Sequence, residues 1–293
     1  MPDNTSDCVR HVNGRAPMHL NYHRKYCGKI QAVIFDMTGT LVDFGAKANG
    51  QALQQLFNQY QIQLPPDTLL AVADLPDLAQ LKYLFAIESI KDQWQQHQGS
   101  LPDEKQLEQL NIQLRTQQIV CASQQLSLPV DSKTVFQFIR KQGYKVGVCT
   151  HYCRDIASDL IPQLAEEGIK IDHWVSAADV SQPRPAPHLA LTCAVALDIL
   201  SVSACVKVDD SLKGIEEGLN AGMWTIGTAI SGEYNNRSIN EWNQLSNTER
   251  DKIRSEATLS LYRAGAHYVV DTISDIQSCL EDIEARLKRG ERP

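Results

Sequence analysis

Four places in the chain hold the residue types that phosphoryl transfer requires: Asp36, Thr150, Arg184 and the pair Asp209-Asp210. Asp36 closes the run Gln31-Ala-Val-Ile-Phe-Asp36 and is followed by the turn Thr38-Gly39-Thr40, whose backbone amides can cradle a phosphate. Thr150 offers a hydroxyl to a phosphoryl oxygen. Arg184 stands between Pro183 and Pro185, where a stiff backbone would fix a guanidinium shaped for phosphate. Asp209 and Asp210 are oxygen donors of the kind that Mg²⁺ takes. A carboxylate nucleophile, a hydroxyl, a cation and metal-binding carboxylates together make a phosphoryl-transfer set. Singly they say little, since a strand-end Asp is usually a turn residue and a lone Arg usually a surface ion pair. Their order at successive strand ends carries the signal.

The elements that must position them are legible as short apolar, β-branched runs. Lys29 to Phe35 stops at the turn, and similar runs recur at Lys145–Cys149, His173–Val175, Cys205–Val208 and Trp224–Gly227. Helix-length amphipathic segments separate them, at Lys133–Gln142, Asp155–Gly168, His188–Leu197 and Ser211–Asn220. This alternation predicts an α/β fold with a doubly wound, Rossmann-like parallel sheet. Ligands of such sheets lie beyond the carboxyl ends of the strands. His267–Val270 and a helix to about Leu287 read as a closing unit. The stretch 46–126 differs: it is rich in Gln and Leu, has helical spacing, and is punctuated by Pro65-Pro66, Pro76 and Pro102. The expected division is a polar extension over 1–27, an α/β domain over 28–45 and 127–293, and an all-helical insertion over 46–126, just after the first strand.

Bulk composition narrows the partners. Of 293 residues, 43% are hydrophobic and 22% charged, and the net charge of −7 gives no electrostatic case for nucleic acid or an anionic membrane. No run reaches the ~18 apolar residues that a membrane span needs. Eight unevenly spaced cysteines suit a reduced, cytoplasmic setting, with Cys149 and Cys153 read as ordinary thiols rather than a metal pair.

The run Asp36-Met-Thr-Gly-Thr-Leu-Val-Asp43, with the later residues behind it, resembles the haloacid dehalogenase superfamily. Within that superfamily the chain is similar to the phosphonoacetaldehyde hydrolases. The similarity runs through Thr150, Tyr152 and Arg154, through Arg184-Pro185 and Pro187, and through Val206-Lys-Val-Asp-Asp-Ser211 with Glu217-Gly218. It continues in Asn220-Ala-Gly-Met-Trp-Thr-Ile-Gly227 and Ala264-Gly-Ala-His267, and spans about Gln31 to Ile283, with the insertion matching least. The resemblance implies that Asp36 is the nucleophile and that Mg²⁺ sits on Asp36, the Thr38 carbonyl and Asp210, beside Asp209. It implies that Thr150 and Arg184 bind the transferring group, next to Gly39, Thr40 and His151. It further implies a helical cap over the site, a small phosphorylated or phosphonate substrate, and a homodimer paired through the cap.

Two departures qualify the resemblance. The family forms a Schiff base between a cap lysine and the substrate aldehyde, and at that position this chain has Asp77, with Gln80 at a neighbouring histidine position and Ala46 near the hinge. Lys47 and Lys82 lie off the matching site. Thr38 also stands where phosphatases of the superfamily carry a general acid, so Asp77, His151 and Asp209 compete to replace it. Gly214 stands where a further metal-site carboxylate is expected. Three readings stay open: a phosphohydrolase of this type, a true phosphonoacetaldehyde hydrolase with a displaced lysine, and a catalytically weak phospho-ligand binder.

Overall fold

In a computed structural model, which describes residues 26–44, 46–72, 75–124, 126 and 132–293, the apolar runs become six strands. These are β1 (Ala32–Asp36), β2 (Lys145–Thr150), β3 (His173–Ser176), β4 (Cys205–Asp209), β5 (Trp224–Thr228) and β6 (Tyr268–Val270). They pair in parallel in the order β3-β2-β1-β4-β5-β6, as the doubly wound α/β reading requires. Every residue of β1, β4 and β5 is buried, because helices cover both faces, and that explains why these strands read as continuous rather than alternating apolar runs. The chain winds outward from β1 to β2 and β3, then crosses back to β4. The switch point therefore lies between β1 and β4, where Asp36, Asp209 and Asp210 emerge.

Helices α1 (Ala48–Gln59), α2 (Pro66–Val72), α3 (Asp77–Ala86), α4 (Glu88–Gln98) and α5 (Glu104–Gln124) occupy the stretch read as an all-helical insertion. Their interior is built on aromatic contacts: Phe57 on Phe85 at 5.5 Å, and Phe85 edge-on to Trp94 at 4.8 Å. The sheet is flanked by α6 (Ser132–Gln142), α7 (Arg154–Glu166), α8 (His188–Ala196) and α9 (Leu212–Asn220), then α10 (Ile239–Gln244), α11 (Asn247–Arg263) and α12 (Ile276–Lys288). Neither α10 nor α11 is among the sequence expectations, although the signal is present. Ser238 with Glu241 and Ser246 with Glu249 each form a capping box at the start of these helices. No helix of the described residues is long and apolar enough to cross a membrane. The described cysteines are all free. The expected extension over 1–27 lies almost wholly outside the described residues.

The passage from sheet to insertion hangs on Asp43. Its φ is +59°, its side chain is fully buried, and its two oxygens accept from the amides of Lys47 at 2.9 Å and Ala48 at 2.8 Å. Those amides open α1, where backbone donors otherwise lack partners. Lys47 then reaches across to Glu241 of α10 at 2.7 Å, tying the insertion's first turn to the α/β domain.

Burial pushes the Asp43 carboxyl up from 3.8 to about 6, against the amides of Ala48 and Lys47. The folded protein thus holds this proton more tightly than the unfolded chain does. The associated stability is complete below pH ~4 and is lost as pH rises through ~6. Relative to an Asp43→Asn variant, the wild type is expected to lose about 3 kcal/mol between those limits. Urea unfolding of both proteins at pH 4 and pH 7 measures the difference, and parallel pH profiles would count against it.

Candidate active site

Arg184 is the hub of the site. Its Nη1 lies 2.8 Å from Asp36 Oδ1, its Nε donates to Glu217 Oε2 at 2.8 Å, and its Nη2 donates to the Cys149 carbonyl at 3.2 Å. The same Nη2 is 3.6 Å from Asp209 Oδ2. Three elements converge here: Asp36 ends β1, Asp209 ends β4, and Glu217 projects from α9. Glu217 is itself fixed, because its other oxygen accepts from the Ala190 amide of α8 at 2.8 Å. Beneath them Lys207, fully buried in β4, donates to Asp209 and stands 3.8 Å from Glu217.

The two adjacent aspartates have different tasks. Asp209 faces inward: besides Lys207 and Arg184 it accepts from the Ser211 amide at 3.0 Å and the Ser211 hydroxyl at 2.8 Å. Burial alone would raise its carboxyl, but Lys207 and Arg184 outweigh burial and hold it at about 2. Asp210 faces the site, accepting from Thr40 Oγ1 at 2.8 Å and the Glu233 amide at 3.1 Å. Burial, then the charges of Asp36 and Asp209, push the Asp210 carboxyl well above its ordinary range. The Asp36 carboxyl is also raised by burial, with Arg184 opposing and Asp209 adding. Gly39, at φ +77°, passes so close that a Cβ there would sit 2.5 Å from Asp210 Oδ2. Only glycine fits that turn.

A hard divalent cation fits these residues. Asp36, Asp209 and Asp210 each bring a carboxylate oxygen within 4.8 Å of the others, and all three are buried. Asp36 Oδ1 touches Arg184 but has no partner in hydrogen-bond geometry among the described residues, so a lone pair is open. Burial first, and mutual repulsion after it, raise two of the three carboxyls, and a bound cation would relieve the repulsion.

Thr150 is fully buried at the end of β2, and its oxygen accepts from the Tyr152 amide at 3.1 Å, leaving its hydroxyl proton to donate. His151 is exposed, with its ring 4.8 Å from that of Tyr152. The buried Thr38 and Tyr152 hydroxyls feel one another, yet neither has a partner in hydrogen-bond geometry among the described residues. Asp77 opens α3 and is engaged from α5, by Gln118 Nε2 at 3.0 Å and by Arg115 at 3.6 Å. Gln80 bridges Asn49 and the Leu75 carbonyl, Lys47 is held by Glu241, and Lys82 is exposed. Gly214 does more than lack a carboxylate: a Cβ there would fall 2.0 Å from Asp209, so α9 can approach only because the side chain is missing. Sequence reasoning missed Lys207 and the role of Glu217. A lysine inside an otherwise apolar strand was the available signal, since a charge there must be paired.

Comparison with known proteins agrees with this geometry. The haloacid dehalogenase-like hydrolase family matches residues 30–222. Phosphonoacetaldehyde hydrolases from Klebsiella pneumoniae subsp. pneumoniae and Salmonella typhi are 35% and 36% identical over 270 residues, 90% of this chain and 99% of each relative. The crystal structure of a phosphonoacetaldehyde hydrolase-like protein from Oleispira antarctica is 33% identical, with a TM-score of 0.84, over 94% of this chain and 100% of that one. A β-phosphoglucomutase from Clostridium difficile, at 15% identity and a TM-score of 0.60 over 88% of this chain and 98% of that one, shares the fold. The chain is a hydrolase, and it belongs to the haloacid dehalogenase-like family among the relatives of phosphonoacetaldehyde hydrolase.

Proposed function

We propose that the protein is a Mg²⁺-dependent phosphohydrolase that uses Asp36 as nucleophile on a small phosphorylated metabolite. The observation that carries this reading is the open lone pair of Asp36 Oδ1 beside Arg184, at the switch point of the sheet. Arg184 and the Thr150 hydroxyl bind the oxygens of the transferring group, and the amides of Thr38 and Thr40 complete the cradle, while the Gly39 amide donates to the Val42 carbonyl at 2.7 Å. Asp36 attacks phosphorus, the bond to the leaving oxygen breaks, and water then releases phosphate from the aspartyl phosphate. Asp36, Asp210 and the Thr38 carbonyl would hold Mg²⁺, which when bound offsets the carboxylate charge and stabilises charge developing on the phosphoryl oxygens. Asp209 acts mainly on Lys207 and Arg184, as its inward hydrogen bonds suggest.

Cleavage of a carbon–phosphorus bond by imine chemistry needs a free amine, and the residues in question do not supply one. Asp77 cannot form an imine, Lys47 is paired with Glu241, and Lys82 points to solvent on α3. The relatives' names favour phosphonoacetaldehyde as substrate, so the two readings meet in one assay. Purified protein given phosphonoacetaldehyde is expected to release no acetaldehyde, and borohydride is expected to trap no adduct. Acetaldehyde release at the rate of the relatives would overturn this part of the reading.

Asp36→Asn should lower turnover in a phosphatase panel by roughly 10⁴-fold or more, as loss of a nucleophile does. Chelation should silence the wild type and added Mg²⁺ restore it. Equal activity of Asp36→Asn and wild type would leave only ligand binding. Glu217→Gln should cost ~10²-fold in kcat/KM, the order expected when a positioned group is displaced by about 1 Å. Its crystal structure should show the Arg184 guanidinium turned away from Asp36.

A further inference from the structure

The site has a nucleophile, but the leaving oxygen also needs a proton. Three side chains compete for that role on sequence grounds, and their surroundings separate them. Asp77 is engaged by Gln118 and Arg115 from within the insertion. Asp209 is turned inward on Lys207 and Ser211. The nearby hydroxyls do not help: Thr38 is an alcohol and Tyr152 a phenol, both poor proton donors near neutral pH.

His151 is placed differently. In the β1–β2 register Asp36 lies opposite Cys149, so Thr150 is the last residue of the neighbouring strand and His151 the first beyond it. The ring of His151 is exposed at this rim and rests against Tyr152, with centroids 4.8 Å apart at 45°. The hydroxyl of Tyr152 in turn lies beside Thr38, two residues after the nucleophile. The charge of His151 is also felt at Asp36, after those of Arg184, Asp209 and Lys207. Imidazole is the side chain best able to give and retake a proton near neutral pH.

We propose that His151 is the general acid for the leaving oxygen, which fits the site to phosphate monoesters of ordinary, unactivated alcohols. This rests on the phosphohydrolase reading above. As Asp36 attacks phosphorus and the phosphorus–oxygen bond to the alcohol breaks, the imidazolium of His151 gives its proton to the departing oxygen. The neutral ring then takes a proton from the water that attacks the aspartyl phosphate. Phosphate leaves, the Asp36 carboxylate is regenerated, and the imidazolium is restored.

The test is a series of aryl phosphates running from 2,4-dinitrophenyl to phenyl phosphate, with Mg²⁺ present. His151→Asn is expected to lose ~10²–10⁴-fold on phenyl phosphate, the usual worth of a general acid. The loss should shrink steadily as the leaving phenol becomes more acidic. With His151→Gly, free imidazole should restore turnover of phenyl phosphate and change that of the dinitrophenyl ester far less. A uniform loss across the series, or no rescue by imidazole, overturns the role of His151 alone. Failure of the wild type to hydrolyse any member overturns the phosphohydrolase reading and this inference with it.

Discussion

Four carboxylates, Asp36, Asp209, Asp210 and Glu217, face only two cations, Arg184 and Lys207, in a region almost closed to water. If all were ionised, two negative charges would remain uncompensated where the dielectric is low and repulsion strong. Much of the architecture answers that imbalance. Lys207 and the Ser211 amide stabilise Asp209, Glu217 is braced by α8, and Asp210 is anchored by Thr40 and the Glu233 amide. What is left over is a deficit of two positive charges, the charge of one divalent cation. A phosphate dianion entering without such an ion would meet net repulsion despite Arg184.

Chain topology makes this clustering possible. β1 and β4 are neighbours in the sheet although about 170 residues separate Thr40 from the Asp210 oxygen it donates to. Arg184 reaches in from the loop before α8, and Glu217 from α9, so no single local segment contains the site. The resulting strain on stability is typical of buried ion networks, in which intact pairs contribute little and broken ones cost much. Such a network is better understood as fixing direction: it leaves the guanidinium one way to point.

The parts visible in the sequence were those at strand ends. Asp36, Thr150 and the Asp209-Asp210 pair follow apolar runs directly, so their place beyond the sheet could be read from pattern alone. Glu217 could not. A glutamate between polar neighbours on a helix looks like a solvated face, and only the packing of α8 against α9 turns it inward. Helices α10 and α11 were hidden by weak apolar patterning, although their capping boxes marked both starts. The stretch 46–126 was legible as helical from its leucine spacing, which gave its abundant Gln no place in the interior. The structure instead buries Gln80 and Gln118 almost completely.

Those buried amides have a consequence for how the five helices of 46–126 pack. Asn49 donates to Gln80, Gln118 donates to Asn49 and to Asp77, and Gln80 donates to the Leu75 carbonyl. Asn49 of α1, Asp77 and Gln80 of α3 and Gln118 of α5 thus form a chain of directional bonds across an otherwise greasy interior. Hydrocarbon contacts tolerate sliding, whereas amides do not. Turning any of these helices by one residue would strand polar groups without partners, at ~1–3 kcal/mol each. The chain therefore works as a rotational lock, choosing one azimuth for every helix. Variants that trade these amides for leucine would keep a stable bundle yet lose its single phase.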